Sequence, residues 1–181
     1  MLDGTRNPQH AFATMQRLEP PDSHYLNAAI GWLGLGRRDD AKAELEMISA
    51  QNQRHPDVLE ARWAIYAEER QWEAALDVAR KLLQRAPHRV SGWLHHAYAL
   101  RRAPEGGLEK AWAALKPAVE KFPKEALIPF NLSCYACQMQ RFDEARVWLK
   151  RALEVGGKER IKQQALSDPD LKPLWEEIRQ L

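Results

Sequence analysis

The sequence predicts an all-α fold, a solenoid of about four helix pairs with extra helices at both ends. Three observations predict it. First, four similar segments, RRDDAKAEL (37–45), RQWEAALDV (70–78), GGLEKAWAA (106–114) and QRFDEARVW (140–148), share an alanine at Ala41, Ala75, Ala111 and Ala145, at separations of 34, 36 and 34 residues. A fixed period of this size is the signature of a stacked repeat architecture. Second, each unit carries two apolar runs at helical spacing, joined by a short polar link. In the second unit Leu59, Trp63 and Tyr66 form one run and Ala75, Leu76, Ala79, Leu82 and Leu83 the other, with EERQ between them. So short a link makes the two helices antiparallel neighbours. Third, Pro56, Pro87 and Pro123 close the units. Proline ends a helix because it lacks an N–H and disfavours helix at the residue before it.

Taken in order, the helices are expected at about 22–35, 38–51, 56–69, 72–85, 89–102, 106–121, 125–139 and 142–155. The recurring alanine marks the crossing of the paired helices, where a larger side chain would force them apart. Three residues before it stand Arg38, Trp72, Leu108 and Phe142, apolar in three units of four, to fill the wedge against the first helix. The third unit carries an insertion, RRAPEGG (101–107), and Pro117 within its second helix, which is expected to bend that helix near Ala113. At the N-terminal end, residues 8–18 read as a helix with Phe12, Met15 and Leu18 on one side. After Gly156-Gly157, residues 158–166 and a last helix begun by Asp168-Pro169, with Leu171, Leu174, Trp175 and Ile178, read as a cap that gives the stack a polar end. The expected organisation is therefore 1–21 as an N-terminal helix or half-repeat, units at 22–55, 56–88, 89–124 and 125–157, and capping helices over 158–181.

Composition excludes several classes of function. Lys and Arg number 27 against 25 Asp and Glu, a net charge of +2, so no nucleic-acid partner and no anionic membrane surface is expected on electrostatic grounds. No apolar stretch is long enough to span a bilayer and the N-terminus carries no apolar signal region, so no membrane association and a cytoplasmic location are expected.

The four units, residues 22–155, resemble the tetratricopeptide repeat (TPR) in period, in the recurring alanine and in the closing prolines. The resemblance implies a right-handed superhelix whose first helices line a concave face, a non-enzymatic scaffold or adaptor, and a protein or peptide partner laid in the groove. The first helix of such a repeat usually carries Leu-Gly, or a small residue in place of the Gly. Here the equivalents are Ala28-Ala29, Arg62-Trp63, His96-Ala97 and Leu132-Ser133. Trp63 is bulky at a small-residue position, which means that unit two packs more loosely or that its register is shifted by one.

Carrying the concave face over gives a groove of Leu26, Asn27, Ile30 and Leu33 from unit one, with Glu60, Ala64 and Ala67 from unit two. Unit three adds Leu94, His95, Tyr98 and Arg101, and unit four Phe130, Asn131, Cys134 and Cys137. Tyr98 and Phe130 are expected to be neighbours and to anchor a partner. The face is mostly apolar, which suits an extended peptide or an amphipathic helix. The lysine-and-asparagine clamp by which some TPR domains hold an acidic chaperone C-terminus is not matched, because Leu26, Asn27 and Ile30 stand there without a lysine. Self-coverage by a terminal segment and homo-oligomerisation are rival uses of the same face. An RNA-binding helical repeat and a chaperone-like or self-assembling protein are alternative readings.

Sites for chemistry are scarce. No phosphate-binding glycine loop, metalloprotease HExxH or nucleophile elbow occurs. Cys134 and Cys137 form CxxC inside a helix, away from the helix N-terminus that would lower a thiol pKa, and no second pair exists to complete a zinc site. No catalytic residue, metal or cofactor is expected. His95 and His96 point about 100° apart on a helix and cannot chelate together; His24, His55 and His88 fall at helix starts, where capping or loop roles rather than catalysis are expected.

Overall fold

The structure, a computed structural model, describes residues 17–181. Helices α1 (Asp22–Gly34) and α2 (Arg38–Met47) form the first pair, and α3 (Pro56–Glu68) and α4 (Trp72–Arg85) the second. Helix α5 (Val90–Arg102) pairs with α6 (Leu108–Leu115), which a short α7 (Ala118–Lys121) continues; α8 (Leu127–Gln138) pairs with α9 (Phe142–Gly156). Helix α10 (Lys158–Ser167), a 3₁₀ segment Pro169–Leu174 and α11 (Trp175–Gln180) follow. Every regular element among the described residues is helical. The helix expected at 8–18 lies outside the described residues except for its last two positions, which are not helical; of these, Leu18 is buried against the first pair.

The shared alanines explain the pairing. Ala41, Ala75, Ala111 and Ala145 have no exposed surface at all. The turn between paired helices is also repeated. Gly36, Arg70 and Gln140 all adopt positive φ, at 72°, 57° and 61°. In each turn the next residue's N–H reaches back to a carbonyl in the last turn of the first helix: Arg37 to Trp32 at 2.9 Å, Gln71 to Tyr66 at 2.8 Å and Arg141 to Ala136 at 2.9 Å. Together with the bonds from Gly36, Arg70 and Gln140 to Leu33, Ala67 and Cys137, this is a Schellman closure that satisfies the orphan carbonyls.

The third unit closes differently because of its insertion. Gly107 donates to the Leu100 carbonyl at 3.0 Å, and Gly106 is pressed so closely on the same carbonyl that a Cβ would lie 1.6 Å from the oxygen. Pro117 does more than bend its helix. The helix stops at Leu115 and restarts at Ala118, two residues later than the bend expected near Ala113, because the missing N–H falls at Pro117 itself.

Helix α1 packs on α3 and α3 on α5, whereas α2, α4 and α6 make no comparable contact with one another. Over α1, α3 and α5 the layer of first helices is therefore the tighter, inner one, while α8 joins the stack through α6. One continuous apolar core runs from Ala97 in α5 to Ile178 in α11. The first pair shares a smaller, separate core with α3, around Leu26, Ala41, Leu45 and Ile65. Trp63 and Tyr66 pack against two smaller clusters between them.

Candidate protein-binding groove

The inner layer places the expected groove residues in three different environments. Asn27, Ile30 and Tyr98 are exposed, with Ile30 at 52% and Tyr98 at 38%. Leu33, Ala64, Leu94, His95, Arg101 and Asn131 are half-buried, as are Glu60 and Ala67. Leu26, Phe130, Cys134 and Cys137 are buried. Leu26 belongs to the core of the first pair and Phe130 to the long core. They fill space between helices and offer no side chain to a partner in this arrangement. Tyr98 and Phe130 are thus not a joint anchor: Tyr98 faces the preceding unit and Phe130 is interior.

An aromatic cluster forms the middle of the inner face. The Trp63 ring stacks on His95 with centroids 3.7 Å apart and an interplanar angle of 9°. Tyr98 meets Trp63 edge-on and Trp72 at a tilt, each at 5.9 Å. The Arg102 guanidinium lies over the Tyr98 ring, 3.5 Å from its centroid, and also reaches over Trp72 at 5.3 Å. A flat imidazole from the next unit is laid against the bulk of Trp63, whose buried indole N–H has no hydrogen-bond partner among the described residues. Burial disfavours the charged form of that imidazole and holds the His95 pKa down to about 4, against a weaker upward pull from Glu60. Below this cluster Glu60 accepts hydrogen bonds from Ser91 at 2.6 Å and from Arg89 at 3.3 Å, which ties α3 to the start of α5.

The far end of the inner face is taken by the chain itself. The 3₁₀ segment Pro169–Leu174 packs on α8. Arg101 holds the Asp170 carboxylate through both oxygens, one pairing at 2.9 Å. Gln138 donates to the Asp170 carbonyl at 2.9 Å, and the Cys134 thiol to Asp168 at 3.7 Å. Donating to the Asp170 carboxylate pushes the Arg101 pKa further up despite its burial. Burial, with the two nearby carboxylates, pushes the Cys134 thiol far up, so it stays protonated. Cys134, Asp168 and Asp170 bring ligand atoms within 4.8 Å of one another, a spacing compatible with a divalent ion. The Arg101 guanidinium already takes both Asp170 oxygens and the thiol is held neutral, so the arrangement is an ion-paired latch. What remains open is a cleft of about 440 Å³ beside Tyr98, Arg101, Arg102, Asn131 and Gln164.

Sequence reasoning missed the latch. Asp168 was legible with Pro169 as a helix start, and it does cap the backbone N–H of Asp170 at 2.9 Å. Nothing local marks Asp170 as the partner of Arg101. His55 does cap a helix: its Nδ1 accepts from the Asp57 N–H at 3.3 Å. No helix among the described residues is long and apolar enough to cross a membrane.

No family model and no curated protein matches this chain. Solved structures do. A thermophilic TPR protein of Thermus thermophilus, TTC0263, superposes with a TM-score of 0.65 at 21% identity, over 88% of this chain and 100% of that one. A double mutant of MamA RS-1 gives 0.64 at 18% identity, over 82% of this chain and 79% of that one. MamA AMB-1 gives 0.61 at 19% identity, over 88% and 91%. The chain has the helical-repeat fold of solved tetratricopeptide-repeat proteins.

Proposed function

We propose that this protein is a non-enzymatic scaffold that binds a segment of a protein partner on its inner face, in the cytoplasm. The bound segment lies along α1, α3 and α5, over Asn27, Ile30, Ala64, His95 and Tyr98. The reading rests on one observation: Tyr98 is exposed at 38% yet held by Trp63, Trp72 and Arg102. A fixed, exposed aromatic gives a partner contact area at little cost in side-chain entropy, the property that makes tyrosine a frequent anchor. Ile30, exposed two units away on the same layer, extends the apolar surface.

The partner's path ends before α8, because Pro169–Leu174 occupies that end. This latch is not a removable lid. Leu171 and Leu174 are 0% and 2% exposed, so lifting the segment would open the long core.

The test is a pull-down of full-length protein from its native lysate, compared with Tyr98→Ala and Ile30→Glu. Each variant is checked for unchanged circular dichroism. At least a tenfold loss of the captured protein with retained fold supports the groove, since anchors of this kind often contribute about 2 kcal/mol or more. Undiminished capture by both variants refutes it, and a captured second copy of this chain identifies the partner as self.

A further inference from the structure

A second recess lies off the inner face, between the loop that follows α2, helix α3 and helix α4. It has a volume of about 370 Å³. Gln53, Arg54, Arg62 and Lys81 line its polar side, with Asp77, while Leu59, Val78 and Tyr66 give it an apolar wall. Three cations and one carboxylate leave an excess of two positive charges here. That equals the net charge of +2 on the whole chain, so the rest of the molecule is balanced.

Arg62 is the unusual member. It stands in the Arg62-Trp63 pair, where the repeat pattern favours an apolar residue followed by a small one. Among the described residues its guanidinium is positioned by neutral oxygens only. Nη2 donates to Gln53 Oε1 and, at 3.5 Å, to the Leu45 carbonyl. Gln53 is itself fixed, donating to the Ile48 carbonyl at 2.6 Å and the Leu45 carbonyl at 3.0 Å. Nε is buried with no acceptor among the described residues. Arg89 and Arg101, also half-buried, are each paired with carboxylates. Enclosing a guanidinium without a counter-charge is costly, and an anion in the recess removes that cost.

We propose that this recess binds a small phosphate ester, its dianionic head between Arg54 and Arg62 and its organic body against Leu59 and Val78. The fork of exposed Arg54 can match phosphate oxygens in pairs while Arg62 adds its charge, and two uncompensated charges match a dianion better than a monoanion. Lys81 is paired with exposed Asp77 at 2.5 Å. A surface pair of that kind contributes little, so Lys81 can turn to the ligand when it arrives. The site is separate from the proposed groove, so its test leaves that reading untouched.

The experiment is calorimetric titration of the full chain at low salt with phenyl phosphate, and with inorganic phosphate and benzoate as the other arms. Saturable one-to-one binding of phenyl phosphate is expected, with benzoate and inorganic phosphate each at least tenfold weaker. Arg54→Glu, at an exposed position, is expected to weaken binding by tenfold or more, and Asp77→Asn to tighten it. A merely structural role for these two residues would produce neither change. No saturable heat, or equal affinity in both variants, overturns the site. Benzoate bound as tightly as phenyl phosphate overturns the dianion, and inorganic phosphate bound as tightly overturns the role of the apolar wall.

Discussion

Arg70 and Gln140 hold the left-handed conformation that Gly36 holds in the first unit, at φ of 57° and 61°. A side chain in that region costs roughly 1–2 kcal/mol, because the Cβ approaches its own carbonyl. Glycine removes that cost but adds roughly 0.4–1 kcal/mol of unfolded-state entropy. Among the described residues neither side chain makes an ion pair or a hydrogen bond that the substitution would forfeit, and both are exposed. Arg70→Gly and Gln140→Gly are therefore each expected to stabilise by about 0.5–1 kcal/mol, and the two to add because the turns share no partners. Gly36→Ala is the reciprocal control. A Cβ there meets nothing within 4 Å, so its loss of about 1 kcal/mol would be purely backbone in origin. Urea melts of the three variants, read as midpoint shifts at constant slope, measure these changes. If both glycine variants melt at or below the parent, positive φ is not a cost in these turns and the Schellman argument fails.

Gly106→Ala is expected to destabilise by roughly 1–3 kcal/mol, since its Cβ would fall on the Leu100 carbonyl; thermal melts check it. Phe130→Ala should cost about 3–5 kcal/mol in a urea melt as a core truncation, whereas Tyr98→Ala should cost far less, which separates the interior aromatic from the exposed one. His95, with a folded pKa of about 4 against 6.5 for the free side chain, stabilises only while neutral. Its contribution is complete above about pH 6.5 and falls as the pH drops toward 4, by about 2 kcal/mol at pH 5. Burial lowers His96 in the same direction. His95→Phe, which keeps a flat ring against Trp63, should flatten the stability profile between those limits. An unchanged slope there would mean that the stack is open to solvent.

Helix existence and pairing were legible because they depend on local signals. The alanine period, the prolines and the apolar spacing each state what a residue does to its own helix or its immediate neighbour. The Trp63 problem could not be solved from one unit, because its answer is His95, 32 residues on in the following unit. The groove was harder still. Leu26 and Phe130 carry the same helical phase as exposed Ile30 and Tyr98, and only the third dimension decides which of them another helix covers. Arg101 is expected on the groove side of its helix, but its carboxylate partner lies 69 residues away in the cap, where no local signal points. Arg62 stood out only as a departure from the repeat pattern, and its fixed, uncompensated charge becomes visible once Gln53 is placed beside it.

The continuous core between Ala97 and Ile178 sets a direction in which the chain comes apart. In a uniform repeat array each unit leans only on its neighbours, and fraying from the two ends is equivalent. Here the last units are welded to the cap by shared side chains and by the Arg101–Asp170 latch, while the first pair shares only a small core with α3. Amide exchange should therefore follow a gradient, fastest in α1 and α2 and slowest in α8, with α5 to α11 opening as one block. Limited proteolysis should trim the chain from its N-terminal side and leave a resistant fragment that begins near Arg89. A cut after Ser167, which strips Leu171, Leu174 and Ile178 from that core, should melt the same block entirely.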